Sequence, residues 1–204
     1  AVPSSPSDGV SGVCFSPTSQ FLFASSWAST LSCWECHVQE AMGGVSQVAA
    51  QPKVQCPLQA PALCCASTND TVFAGCGDGS LQMWRLGQPQ AQQVGKHDAP
   101  IKHVFHVAET NVVLTGGWDK TVRAWDLRTP QPVATIQLPE RVYAMDVRHP
   151  LLVVGTAERK VCLYDLSSAN WQQPYRMEDS PLRHQTRCIA AFPDREGFAI
   201  GSIE

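Results

Sequence analysis

The sequence predicts an all-β chain of repeated four-stranded units, an incomplete β-propeller, on three observations. Aromatic anchors recur at Trp34, Trp84, Trp125 and Tyr164, in steps of 50, 41 and 39 residues, near the spacing of about 40–45 that one propeller blade requires. Each anchor closes a short alternating run: Thr30 to Trp34, Ser80 to Trp84, Thr121 to Trp125, Lys160 to Tyr164. Before each run lies a segment of small apolar residues, at 21–26, 72–77, 112–117 and 151–157. Short runs punctuated by Gly, Pro, Asp and Ser, without a 3.6-residue period, are strands and turns.

The third copy is the fullest. Gly116-Gly117-Trp118-Asp119-Lys120-Thr121-Val122-Arg123-Ala124-Trp125-Asp126 places an Asp in a tight turn, then a β-branched strand, then a closing Trp-Asp pair. This is the end of a WD repeat. Thr115 stands four residues before Asp119, Trp125 six after it, and His97 upstream. In WD repeats these positions form a buried His–Asp–Ser/Thr–Trp network. Buried polar groups need partners, so a complete set of four is a demanding pattern.

The other copies are degraded. Ala28 holds the turn position of the first, Ala74 replaces the Ser/Thr of the second, and the fourth uses Glu158, Val154 and Tyr164. Those blades are expected to rely on apolar packing between neighbours. A fifth copy starts at Arg187-Cys188-Ile189-Ala190-Ala191-Phe192, with Glu204 at its Asp position. The expected division is one partial propeller: blade 1 at 1–50, blade 2 at 51–96, blade 3 at 97–138, blade 4 at 139–180, and the start of blade 5 at 181–204. Propellers avoid open sheet edges by closing the ring, so the chain reads as a fragment of a longer protein.

Composition narrows the function classes. At 204 residues and 44% hydrophobic content the chain can bury one sizeable core. No run approaches the ~18 apolar residues of a membrane span. Nine cysteines, mostly within strand patterns (Cys14, Cys64, Cys65, Cys162, Cys188), suggest reduced, buried thiols rather than a disulfide framework. The net charge is −3; residues 1–95 hold two basic and five acidic side chains, and residues 96–204 hold thirteen of each. A sparsely charged first half suits a partly covered surface. The basic excess of an autonomous nucleic-acid binder is missing.

Several motifs invite chemistry and lose to their context. Cys33-Trp34-Glu35-Cys36-His37 has the C-x-x-C-H spacing of haem attachment, but Trp34 is a blade anchor and no second cysteine pair stands at zinc spacing. No metal or other cofactor is expected. Asn69-Asp70-Thr71 is a glycosylation sequon, and equally ordinary turn chemistry. His97, Asp119 and Thr115 could be read as a catalytic triad, but the repeat makes them a blade staple. No catalytic residue is assigned.

Trp27 and Trp118 are different. Each immediately precedes a turn position, Ala28 or Asp119, on the face that carries the turns between second and third strands. They are not anchors, so core packing does not demand them. Large aromatics on a loop face beside arginines form protein-binding hot spots, a reading favoured over packing against neighbouring loops.

The segments Lys96-His97-Asp98-Ala99-Pro100-Ile101-Lys102, Gly117-Trp118-Asp119-Lys120-Thr121, Leu138-Pro139-Glu140-Arg141, Thr156-Ala157-Glu158-Arg159, Ser180-Pro181-Leu182 and Gly197-Phe198-Ala199-Ile200-Gly201-Ser202 resemble the WD-repeat messenger-RNA export factor of the nuclear pore. A close relative, the WD-repeat subunit of the spindle-assembly checkpoint, is the alternative, and Gln185-Thr186-Arg187-Cys188-Ile189 leans toward it. Residues 37–61, read as a linker, fit least well. The resemblance implies a seven-bladed propeller and a non-catalytic adaptor that grips a short extended segment of a nucleoporin, or of a checkpoint kinase. It places the matching partner-binding positions at Trp27, Trp118, Arg141 and Arg187. Arg187 would accept a glutamate of the partner through a charge-assisted pair. RNA or other proteins would be met through the full-length complex, and the implied locations are nucleus, nuclear envelope at the pore, and cytoplasm.

Overall fold

The computed structural model describes residues 2–40 and 46–203; Glu204, assigned above to the fifth turn, lies outside them. Among the described residues eighteen strands form five antiparallel sheets, each a meander of consecutive strands. The first sheet contains β1 (Val10–Phe15), β2 (Phe21–Ser26), β3 (Thr30–Glu40) and β4 (Ser46–Pro57). The second contains β5 (Ala62–Ser67), β6 (Thr71–Cys76), β7 (Ser80–Arg85) and β8 (Gln92–Lys96). The third contains β9 (Ile101–Val107), β10 (Val112–Gly117), β11 (Thr121–Trp125) and β12 (Ala134–Gln137). The fourth contains β13 (Val142–Arg148), β14 (Leu151–Thr156), β15 (Lys160–Asp165) and β16 (Arg176–Asp179). The fifth pairs β17 (Thr186–Ala191) with β18 (Phe198–Ser202). First strands neighbour one another in sequence order, β1 to β5 to β9 to β13 to β17. The sheets therefore stand side by side as the blades of a β-propeller array, with first strands innermost.

Alternation along each central strand builds the core. Val72 and Ala74 of β6 pack with Phe23, Leu31 and Cys33 of the first sheet, while Phe73 between them packs with Ile101, Val104 and Val113 of the third. Likewise Leu152 and Val154 of β14 face the third sheet, and Leu151 and Val153 face Ala191 of the fifth. A strand buried on both faces reads as an unbroken apolar run, which is why β6 and β14 carry no polar residue except a threonine at one end, Thr71 and Thr156. The four anchors Trp34, Trp84, Trp125 and Tyr164 are all buried.

Two expectations need correction. The boundary between residues 50 and 51 falls inside β4, which stays paired with β3 as far as Pro57. The stretch 37–61 is mostly not a linker: β3 and β4, of 11 and 12 residues, extend the first sheet's outer hairpin well beyond its counterparts. Sequence reading missed this because the added length of β3 and β4 departs from the repeat length. A long outer edge invites pairing with other chains. Here Pro52 removes a donor, and a register shift opposite Cys33/Trp34 breaks the ladder.

All nine cysteines are free. They are less uniformly buried than expected, and Cys188 is exposed because its strand belongs to the outermost two-stranded sheet. Cys33 and Cys36 lie three apart on β3, so strand alternation sends them to opposite faces.

Candidate functional site

The end of the array where second strands turn into third strands is built with unusual regularity. Trp27 donates its backbone N–H to the carbonyl of Gly9, Gly77 to Pro61, Trp118 to Pro100 and Ala157 to Arg141. These four residues thus occupy one position in successive sheets. The turn residues that follow, Ser29, Gly79, Lys120 and Arg159, all have positive φ, at 57°, 84°, 63° and 61°. Only one is glycine, so three L-residues bear the left-handed conformation, uncommon outside turns. Each turn is held by a bond from the incoming chain: Leu58, His97, Leu138 and Ser180 donate to the carbonyls of Ser29, Gly79, Lys120 and Arg159.

In the third sheet this frame carries a hydrogen-bonded line. Asp119 lies 2.9 Å from His97 Nδ1, His97 Nε2 lies 2.7 Å from Thr115 Oγ1, and Trp125 Nε1 donates to that hydroxyl at 2.7 Å. Nδ1 faces the carboxylate and Nε2 the Thr115 hydroxyl, so each ring nitrogen has a hydrogen-bond partner. Three neighbours that sequence reading left out join in. Thr121 donates its N–H and hydroxyl to Asp119, Arg123 donates to Asp119 at 3.0 Å and to Asp98 at 2.8 Å, and the Asp98 N–H donates to Asp119. Burial acts to raise the Asp119 pKa, but the His97 and Thr121 hydrogen bonds and the His97 charge overcome it and bring it to about 2. A side chain on Gly117 would put Cβ 2.6 Å from His97 Nδ1, so that position must be glycine for the line to form. The other anchors find different partners: the indole N–H groups of Trp34 and Trp84 donate to the carbonyls of Pro3 and Gln88.

Beside this line lies an exposed cluster. Each first strand contains one residue left unpaired by a register shift: Ser11, Leu63, Lys102, Tyr143 and Arg187. Bulges re-aim side chains, and in the fourth and fifth sheets they bring Tyr143 and Arg187 together. The Arg187 guanidinium carbon lies 5.8 Å from the Tyr143 ring centre, that of Arg141 lies 5.9 Å away, and the Trp118 ring centre lies 6.4 Å away at a 51° tilt. Trp118, Arg141 and Arg187 are thus gathered around a tyrosine that sequence reading did not single out. Trp27, 54% exposed, occupies the position equivalent to Trp118 two sheets away.

The two arginines are not equivalent. Arg141 is 3.5 Å from Glu140, which Lys120 also pairs. Chiefly that Lys120 hydrogen bond, helped by the Arg141 N–H, holds the Glu140 pKa down at about 2. Among the described residues Arg187 forms no ion pair. It is the cation more available to an incoming carboxylate.

The family model "WD domain, G-beta repeat" matches residues 2–35 and 88–126. Along the whole chain the sequence is 39% identical to Protein Rae1 of Drosophila melanogaster and 42% identical to the mRNA export factor of Xenopus tropicalis, spanning 59% and 55% of those proteins. It is 39% identical, over 98% of its length, to the poly(A)+ RNA export protein of Schizosaccharomyces pombe, again covering 55% of that relative. The chain therefore spans little more than half of each of these relatives.

Proposed function

We propose that this WD-repeat chain, which resembles messenger-RNA export factors along its whole length, is part of a non-catalytic adaptor that binds an extended, glutamate-bearing segment of a nucleoporin on its loop face. The observation that carries the reading is the Trp118–Tyr143–Arg141–Arg187 cluster. Trp118 and Tyr143 offer flat apolar surface that loses little side-chain freedom on binding, the character of an interface anchor. Arg187, seated over the Tyr143 face, is held by a cation–π contact and keeps its donors free for a carboxylate. Trp27 adds a second aromatic contact further along the face, so an extended segment crossing from the first sheet to the fifth would meet both. The adaptor would act in the nucleus, at the nuclear pore and in the cytoplasm, in support of messenger-RNA export.

Two of the relatives named above are export proteins by name, which favours this reading over a checkpoint adaptor binding kinase segments. Titration of a glutamate-bearing nucleoporin peptide against the full-length protein and its Trp118→Ala form tests the proposal. Binding weakened by about 30-fold, equivalent to about 2 kcal/mol, is expected for a hot-spot tryptophan. Unchanged affinity would remove the cluster from the interface.

A further inference from the structure

We propose that Cys14 and Cys65 form a redox-modification site, a thiol pair across the seam between the first and second sheets that a peroxide oxidises to an inter-sheet disulfide. Their sulfurs lie 3.6 Å apart. A disulfide needs about 2.05 Å, so an approach of roughly 1.5 Å suffices, within reach of side-chain rotation and a small strand shift. The seam is already close. Ser11 donates its hydroxyl to the Ala62 carbonyl at 2.5 Å and Ser67 to the Phe15 carbonyl at 3.0 Å, bracketing the pair on both sides. At Gly12 the two strands are in backbone contact: the Cβ position there lies 3.5 Å from the Cys64 Cα and the Cys65 nitrogen. Both cysteines are partly exposed, so a small oxidant can reach them.

The neighbouring thiol does not compete. Cys64 points the other way, with its sulfur 3.8 Å from the Ile101 carbonyl and 4.0 Å from that of Gly75. Within the pair the roles divide. The hydrogen bond from Cys14, supported by Ser25 and opposed by burial, lowers the Cys65 pKa. The same hydrogen bond, with burial, raises that of Cys14. The thiol hydrogen bond runs from Cys14 to Cys65, which makes Cys65 the attacking sulfur and Cys14 the resolving thiol.

The chemistry balances with hydrogen peroxide as oxidant. The Cys65 thiolate attacks one peroxide oxygen, the O–O bond breaks, and the departing hydroxide takes up the proton that Cys65 released, giving a sulfenic acid and water. Cys14 sulfur then attacks Cys65 sulfur, the S–O bond breaks, and the hydroxide leaves as water with the Cys14 proton. Two thiols are oxidised, and one peroxide is reduced to two waters. The product ties β1 to β5 and closes the chain between the first two sheets.

The test is cysteine mapping of the full chain after mild peroxide treatment, alkylation and proteolysis. The expected result is a Cys14 peptide joined to a Cys65 peptide, released by a thiol reductant, with a higher unfolding temperature for the oxidised protein than for the reduced. The link should persist in Cys64→Ser and disappear in Cys65→Ser, in which Cys14 should become alkylatable. Recovery of Cys14 and Cys65 as alkylated thiols in the wild-type chain, under conditions that oxidise exposed Cys188, would overturn the proposal. So would a link from Cys65 to any other cysteine. The wild-type map decides the question even if a variant fails to fold.

Discussion

The guanidinium of Arg187 lies over the ring of Tyr143 at 5.8 Å, and both residues are the unpaired members of neighbouring first strands. The contact crosses from the fourth sheet to the fifth. A backbone irregularity repeated from blade to blade is what turns strand residues toward the loop face, where a partner could meet them.

Tyr143→Ala is therefore expected to weaken peptide binding without contributing a charge of its own. Loss of the ring removes apolar contact and frees the Arg141 and Arg187 side chains, which must then be ordered on binding. Calorimetric titration should show affinity reduced by about tenfold, with a less favourable entropy than in the wild type. Tyr143→Phe should behave as wild type, since it keeps the ring over which Arg141 and Arg187 lie.

Asp119→Ala should destabilise the chain by about 2–3 kcal/mol in urea unfolding, because it strips His97, Thr121 and Arg123 of an acceptor in a buried setting. Ala28→Asp, at the equivalent turn of the first sheet, should change stability little. There the turn is closed by Ser26, which accepts from the Ala28 N–H and donates toward Gly9. Equal effects of the two substitutions would contradict this account of the third sheet.

The same aspartate predicts a pH dependence. Its folded pKa, about 2, lies below its ordinary value of 3.8. The stabilisation is fully present above pH 4 and is lost as pH falls through 2. The difference corresponds to about 2 kcal/mol. Asp119→Asn should remove that slope from acid unfolding curves between pH 4 and 2, leaving the exposed carboxylates to shape what remains.

Apolar surface on the innermost strand of the first sheet predicts self-association. Val13 and Phe15 are 64% and 67% exposed on the β1 face turned away from Cys14 and the second sheet. Sedimentation of this chain should show concentration-dependent oligomers at micromolar levels, reduced by Phe15→Ser. A monomer with a single cooperative unfolding transition would count against it.

Much of the architecture was legible because it follows side-chain periodicity. The anchors Trp34, Trp84, Trp125 and Tyr164 mark third strands, and the apolar runs before them mark strands buried on two faces. The partners of Asp119 were readable in part, since His97, Thr115 and Trp125 stand at fixed offsets. Tyr143 was not readable. Its place depends on a bulge, and a residue skipped by the hydrogen-bond ladder leaves no period in the sequence. Thr121 and Arg123 were hidden for a related reason: two and four residues beyond Asp119, they look like ordinary strand residues until the turn folds them back. The long β3–β4 hairpin escaped because its extra length displaces the repeat, so its residues resembled a linker.

The most direct test of the adaptor account is the affinity of Arg187→Glu, in the full-length protein, for a nucleoporin peptide that carries paired glutamates, compared in parallel with a checkpoint-kinase peptide. Charge reversal sets a carboxylate against a carboxylate at the one arginine of the cluster without an ion-pair partner among the described residues, at a cost of several kcal/mol in a desolvated contact. The account predicts loss of nucleoporin-peptide binding with an unchanged unfolding curve, and a wild-type preference for the nucleoporin peptide over the kinase peptide. Wild-type affinity in the Arg187→Glu protein would contradict it.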